Sequence, residues 1–71
     1  MESKHNTKLG IKIKSLRQKA GLSQDELARK ADVAYTTLTK IETGIIKSPS
    51  IFVAAKIAKA LGVSIEELLP K

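Results

Sequence analysis

Apolar residues recur along this chain at intervals of three and four residues, which is the spacing of one face of an α-helix. Short polar segments with glycine, serine or proline separate these stretches, and such segments are typical of helix ends and turns. No stretch shows the strict alternation or the β-branched density of a strand. The pattern therefore predicts an all-α fold of five short helices, over about 9–20, 24–31, 35–43 and 50–61, with the last running from Ser64 towards Pro70.

The apolar positions of each predicted helix define the face that we expect to be buried. Tyr35 and Phe52 are the only aromatic residues, so the core must come from leucine, isoleucine, valine and alanine. The expected core positions are Leu9, Ile13, Leu16, Ala20, Leu27, Ala28, Ala31, Leu38, Ile41, Ile51, Ala54, Ala55, Ala58 and Leu61.

Two serines predict where helices begin. Ser23 stands three residues before Glu26, and Ser64 stands three residues before Glu67. In such a capping box the serine hydroxyl accepts the backbone N–H of the glutamate, and the carboxylate accepts the N–H of the serine. Three glycines stand where helices are expected to end, because glycine adopts the left-handed conformation of a C-terminal cap easily; they are Gly21, Gly44 and Gly62.

Composition narrows the functions that the chain can have. Its 71 residues include 13 Lys and Arg against 7 Asp and Glu, and the net charge of +6 attracts polyanions such as nucleic acid. An excess of lysine also favours solubility. The charge alone therefore does not show whether the protein binds nucleic acid. With no cysteine and one histidine, the chain offers no familiar metal site, and we expect no cofactor.

The chain has no apolar stretch near the ~20 residues of a membrane span, and its first residues are too polar for a signal peptide. We therefore expect a soluble, cytoplasmic protein without a membrane partner. Its predicted organisation is one domain over residues 9–69, preceded by a flexible basic tail of residues 1–8.

The second and third predicted helices are joined by a short turn, Asp32-Val33-Ala34. This is the arrangement of a helix-turn-helix, whose second helix enters the major groove of DNA. The spacing alone is weak evidence, since any helical bundle contains helix pairs. The outward side of the third predicted helix is more specific evidence, because it has hydrogen-bonding groups and one cation but no carboxylate. Its residues are Tyr35, Thr36, Thr39, Lys40 and Thr43.

Several linked motifs resemble the lambda-repressor-like family of DNA-binding domains, also called the Cro/cI or XRE family. They stand in the family's order and cover about residues 9–69. The matching segments are GLSQDELA (21–28), Leu38, KIE with Gly44 (40–44), SPS (48–50), IAKALGVS (57–64) and ELL (67–69).

The resemblance implies roles for particular residues. Gln24 corresponds to the glutamine that holds a DNA phosphate and braces the recognition helix, and Thr43 and Lys47 lie where the family grips phosphates. Positions that face base edges correspond to Ala34, Tyr35, Thr36 and Lys40, and Thr39 completes the expected DNA-binding set. Arg17 and Glu42 match an internal salt bridge between the first and third helices.

This chain departs from the family's pattern in two ways. Ala34 replaces the serine or threonine that often caps the recognition helix, and the loss of such a cap costs about 1 kcal/mol. The base-facing set also has no Gln, Asn or Arg, the residues that make bidentate contacts with bases. The second departure leaves the stringency of sequence recognition open.

Four apolar residues stand close to the predicted fourth helix without a clear place in the core: Ile45, Ile46, Phe52 and Val53. If exposed together, they would form a partner surface, and the family commonly forms dimers near its C-terminal half. Alternatively, Phe52 folds back and covers a core that Ala54 and Ala55 leave thin.

The leading hypothesis is a transcriptional regulator, a homodimeric repressor that binds a double-stranded DNA operator. Two alternatives use the same fold: an antitoxin that also binds a toxin, and a module that bridges other proteins. An enzyme is not expected, because the sequence has no nucleophile–base arrangement, no glycine-rich phosphate loop and no evident small-molecule site.

Overall fold

The computed structural model describes residues 7–69, and every regular element in that range is a helix. The helices are α1 (Lys8–Lys19), α2 (Gln24–Ala31), α3 (Tyr35–Glu42), α4 (Ile51–Leu61) and α5 (Ile65–Leu68). The predicted all-α fold of five helices is confirmed, and the helix ends lie within about one residue of those predicted.

Side-chain caps determine where four of the helices begin. Ser23 and Ser64 form the two predicted capping boxes, and Ser50 caps α4 by accepting a backbone N–H at 3.2 Å. The Oγ1 of Thr7 accepts the N–H of Gly10 at 2.9 Å, so α1 begins one residue earlier than predicted. The prediction of a tail over residues 1–8 was therefore wrong for the last two residues, and residues 1–6 lie outside the described range.

Every helix contributes to a single core. α2 packs against both α3 and α4, α1 packs against α3, and α5 packs against α4. The inner side of α3 is therefore supported by two neighbouring helices, while its opposite side lies at the surface. The largest fully buried side chains are Ile13, Leu27, Leu38, Ile41, Ile57 and Leu68.

The predicted inner face of α4 was wrong by a small rotation of the helix. Ile51 is 59% exposed and Ala55 is exposed, whereas Ile57, which was not predicted, is fully buried. α4 is apolar nearly all round, so two overlapping stripes share Ala54 and Ala58. Burial of the large Ile57 removes more apolar area from water than burial of Ala55, and the structure adopts that stripe.

The inner face of α1 also ends earlier than predicted. Ala20 is the residue that caps the helix at its C-terminus, beyond the last helical turn, and it is exposed. Leu16 is only partly buried, although it packs against the core.

A glycine on α1 allows this helix to approach α3 closely, which the sequence pattern did not predict. A Cβ atom at Gly10 would meet the backbone carbonyl oxygen of Ile41 and would lie 2.8 Å from that of Glu42. Backbone oxygens cannot move aside as a flexible side chain can, so this position requires glycine. The contact sets the distance between α1 and the C-terminal end of α3.

Candidate nucleic-acid interface

The turn between α2 and α3 consists of Asp32, Val33 and Ala34, as predicted. Asp32 has a φ of +58°, a left-handed conformation that aspartate tolerates better than most residues with a side chain. The N–H of Val33 donates to the carbonyl of Ala28 at 2.9 Å. These features end α2 and turn the chain, so that α3 starts at Tyr35. An aspartate directly after a helix was the only sequence signal for this geometry.

α3 has two chemically distinct sides. Leu38, Ile41 and Glu42 are buried against the rest of the domain. The outward side has four residues that are exposed and one, Thr39, that is partly exposed. The structure thus brings five of the predicted contact residues onto one surface: Tyr35, Thr36, Thr39, Lys40 and Thr43.

No carboxylate lies on the outward side of α3, since the only acidic residue of this helix, Glu42, is buried. Its side chain is only 1% exposed and is paired with Arg17. The negative charge of α3 is therefore neutralised inside the domain, and Lys40 is left as the charged group on the outward side. A polyanion can approach this side without meeting a carboxylate of α3.

The N-terminal end of α3 has no side-chain cap. Ala34 precedes the helix in an extended conformation, and no side-chain hydrogen bond caps the first turn, which has no acidic residue either. The first N–H groups of a helix have no intrahelical partner and carry a partial positive charge. This end of α3 therefore offers donors to an external acceptor such as a phosphate oxygen.

A buried network ties α3 to α1 and to the turn before α2. Arg17 Nε donates to Glu42 Oε2 at 2.7 Å, and Arg17 Nη2 donates to Glu42 Oε1 at 3.1 Å. A third bond joins Arg17 Nη1 to the carbonyl of Leu22 at 2.8 Å. Such a bidentate pair fixes both distance and orientation. It therefore holds the C-terminal end of α3 against α1.

Gln24, the first residue of α2, joins the same network. Its Nε2 donates to Glu42 Oε1 at 3.0 Å, and its side chain is partly buried. Gln24 therefore links the start of α2 to α3, which is the bracing that the family resemblance implies. Its contact with a phosphate stays a prediction, for which the second Nε2 proton would be the donor.

Two threonines on the outward side use their hydroxyl protons within α3. Thr39 Oγ1 donates to the carbonyl of Thr36 at 2.9 Å, and Thr43 Oγ1 donates to the carbonyl of Thr39 at 2.9 Å. A phosphate oxygen accepts hydrogen bonds, so Thr43 would have to break its internal bond to hold one. Sequence reasoning missed both bonds, because threonine spacing does not specify the side-chain rotamer.

The segment after α3 presents the second predicted cation. Gly44 has a φ of +85°, and the N–H of Ile46 donates to the carbonyl of Lys40 at 3.0 Å. These features place the exposed Lys47 shortly after the end of α3. Lys40 lies in the last turn of α3 and Lys47 follows the end of this helix, and both lysines are exposed.

The four apolar residues around α4 divide into two pairs. Ile45 is 60% exposed and Phe52 is 77% exposed, whereas Ile46 and Val53 are partly buried and pack against the core. The alternative in which Phe52 folds back over the core was therefore wrong. Ile51 is a third exposed apolar side chain near these residues, although it was predicted to lie on the inner face of α4.

Within residues 7–69, no cluster of three histidine or acidic side chains could hold a metal ion. None of the helices described is long and apolar enough to cross a membrane.

Known proteins resemble both the sequence and the structure. A family model described as helix-turn-helix matches residues 13–68. The chain is 41% identical over 61 residues to the HTH-type transcriptional regulator SinR of Bacillus subtilis, and this alignment covers 86% of the chain and 55% of SinR. The chain thus spans about half the length of that regulator.

Two solved structures share the arrangement of helices. A crystal structure of SinR in complex with DNA has a TM-score of 0.85 and 40% sequence identity, covering 87% of this chain and 98% of that one. The restriction-modification controller protein C.AhdI from Aeromonas hydrophila has a TM-score of 0.83 and 31% identity, covering 87% and 92%.

Proposed function

The chain belongs to the helix-turn-helix family, and from this premise we propose that it is a transcriptional regulator of the repressor type. It binds double-stranded DNA at preferred sequences, with α3 in the major groove. The observation that carries the proposal is the outward side of α3, which combines hydroxyl groups and a lysine with no carboxylate, while Glu42 is paired inside the domain. The net charge of +6 adds a general attraction to DNA.

The proposed contacts divide into two groups. Lys47 and Gln24 bind backbone phosphates, together with the uncapped N-terminal end of α3, and Thr43 joins them if its hydroxyl leaves the bond to Thr39. Contacts with phosphates fix the position of a protein on DNA but carry no sequence information. Base edges are contacted from the outward side of α3, by Ala34, Tyr35, Thr36, Thr39 and Lys40.

Lys40 is the residue best suited to read guanine. Its ammonium group donates hydrogen bonds, and guanine presents two acceptors, O6 and N7, in the major groove. Lys40 is exposed on the same side of α3 as the threonines. A single lysine and several hydroxyl groups provide fewer bidentate contacts than Arg, Asn or Gln would, so preference between sites rests on a small number of contacts.

The proposal includes a homodimer that forms through exposed apolar side chains. Ile45 and Phe52 are the best candidates, because water contacts most of their surface in the single chain. A two-fold dimer places its two recognition helices about one DNA turn apart, so the operator has two related half-sites. The place of action is the cytoplasm, and the proposal needs no cofactor.

Selection from a pool of randomised duplexes, followed by fluorescence anisotropy, tests this function. We expect a preferred duplex that binds at least ~10³-fold more tightly than random DNA, because specific sites typically exceed random DNA by that factor or more. A two-fold repeat in the selected sequence would support the dimer, and sedimentation of wild type and Phe52→Ser would show whether Phe52 holds it together.

Two results would contradict parts of the proposal. Equal affinity for all duplexes, with a steep dependence on salt, would leave only the general attraction of a cationic protein to DNA. The exposed Phe52 would then favour a protein partner and the bridging function. A preferred site without a repeat, bound by a single chain, would contradict the dimer alone.

A further inference from the structure

The hydroxyl group of Thr39 has one proton, and this proton is used in a hydrogen bond within α3. Thr39 Oγ1 donates to the carbonyl of Thr36 within α3 at 2.9 Å. A hydroxyl offers one donor and two acceptor sites, so only its acceptor sites are left for a ligand. The same bond restrains χ1, which also fixes the direction of the Cγ2 methyl group on the same carbon.

Thr39 lies on the side of α3 that would face the bases. It is partly exposed, and it stands one helical turn after Thr36 and one turn before Thr43. The groups of Thr39 that are not bonded within α3 are a methyl group in a fixed direction and the acceptor sites of its oxygen. That chemistry differs from the donor role that a hydroxyl near DNA is usually given.

The four base pairs differ in how they meet such a side chain. Guanine presents only acceptors in the major groove, O6 and N7, and the oxygen of Thr39 cannot satisfy them while its proton stays in the bond to Thr36. Thymine presents a 5-methyl group, against which a threonine methyl packs well, and its partner adenine presents an amino donor. Cytosine also presents an amino donor, but it has no 5-methyl group. An A·T pair therefore matches both free groups of Thr39, whereas a G·C pair matches at most its oxygen.

We propose that Thr39 is a specificity-determining residue that selects an A·T base pair by packing its Cγ2 methyl against the 5-methyl group of thymine. This assignment rests on the proposed DNA-binding function.

Replacement of single thymines by deoxyuridine tests the assignment, because deoxyuridine lacks only the 5-methyl group. With wild-type protein on the selected duplex, we expect one thymine per half-site whose replacement weakens binding about fourfold. This is the fold-change for ~0.8 kcal/mol, the value for one buried methylene-sized group. Fluorescence anisotropy on each substituted duplex gives the values of Kd.

Two variants separate the methyl group from the hydroxyl. Thr39→Ser keeps the hydroxyl and loses the methyl, so it should bind the unmodified duplex about fourfold more weakly and should not respond to deoxyuridine at that position. Thr39→Val keeps a methyl and loses the hydroxyl, so its binding should still weaken when that thymine is replaced by deoxyuridine. Thr37→Ser is the matched control, since Thr37 lies on the same helix but outside the outward side, and it should behave as wild type. Thermal unfolding of each variant confirms that α3 remains folded.

The outcomes distinguish this assignment from the function on which it rests. If Thr39→Ser responds to deoxyuridine as wild type does, or if no thymine in the selected duplex responds, the methyl contact is wrong while sequence-specific binding stands. If Thr39→Val loses the preference and Thr39→Ser keeps it, the hydroxyl is the reading group. If selection yields no preferred duplex, both proposals fall together.

Discussion

Two side chains determine where α2, the first helix of the helix-turn-helix, begins. At the start of α2, the N–H of Ser23 donates to Glu26 Oε1 at 2.8 Å, and Ser23 Oγ accepts the N–H of Glu26 at 3.0 Å. The bond from the Ser23 backbone is the main reason that the pKa of Glu26 lies below its ordinary value, and the Ser23 hydroxyl and Arg29 act in the same direction. The capping box is thus strongest while Glu26 is ionised.

This capping box predicts a dependence of stability on pH. Because the folded pKa of Glu26 is lowered, its contribution is fully present above the unfolded value of about 4.3 and is lost as the pH falls through the folded pKa. Glu26→Gln keeps an oxygen that can accept the N–H of Ser23 but cannot titrate. Thermal unfolding of both proteins from pH 7 to pH 3 should therefore show wild type losing its advantage at low pH.

The Glu26→Gln comparison cancels the titration of all other carboxylates, which both proteins share. A difference in Tm that stays constant from pH 7 to pH 3 would show that ionisation of Glu26 does not strengthen the cap.

Some residue-scale features followed from sequence and others could not. The outward side of α3 was predicted because spacing along a helix specifies which residues share a side. The bond of Thr39 was not predicted, since it depends on a rotamer that the surrounding backbone and side chains select. The bracing by Gln24 was expected from the family resemblance, although spacing alone did not specify Glu42 as its partner. Asp32 was predicted to lie in the turn, but its left-handed conformation was not predicted, because such conformations are expected first at glycine.

At the scale of elements, the Arg17–Glu42 pair is the main polar connection between α1 and α3. The two residues are 25 positions apart in the chain, and the pair is almost completely removed from solvent. Loss of one partner would leave the other charged and buried, which typically costs 3–5 kcal/mol, about as much as a small domain can lose. Such a variant would bind DNA less well because a smaller fraction of it is folded.

A double-mutant cycle tests this connection between helices. Arg17→Met and Glu42→Leu should each lower the free energy of unfolding by about 3–5 kcal/mol, whereas the double variant should lose clearly less than the sum. Urea denaturation followed by circular dichroism measures all four proteins.

The exposed pair Arg29–Asp25 on α2 provides the matched control for the cycle. Its atoms are 3.0 Å apart, but the two side chains are 81% and 55% exposed, so its removal should cost less than about 1 kcal/mol. Additive losses at Arg17 and Glu42, or losses as small as those at the exposed pair, would show that the buried pair does not hold α3.

The order and extent of the helices were predictable because local signals specify them: capping boxes, terminal glycines and apolar spacing. The side of α4 that faces inward was not, since Ile51, Ala55 and Ile57 lie on overlapping stripes and only packing against α2 and α5 decides between them. The close approach of α1 to α3 at Gly10 could not be predicted from the sequence either, because it depends on where the carbonyl groups of α3 lie in the folded domain.

At the scale of the whole molecule, structure and charge support the same function. The helices present one side of α3 at the surface, the only carboxylate of α3 is neutralised within the domain, and the net charge of +6 attracts DNA. General attraction would bind every sequence equally, so preference must come from the few side chains on α3. Lys40 and Lys47 must therefore act differently, although both are exposed lysines.

The most direct test compares Lys40→Ala with Lys47→Ala on the selected duplex and on random DNA, by fluorescence anisotropy at two salt concentrations. Loss of a base contact costs about 1–3 kcal/mol, so Lys40→Ala should weaken binding to the selected duplex roughly 5- to 150-fold and to random DNA much less. Lys47→Ala should weaken both about equally and lower the salt slope by about one. Equal losses for the two variants on every duplex would contradict the claim that Lys40 on α3 reads a base.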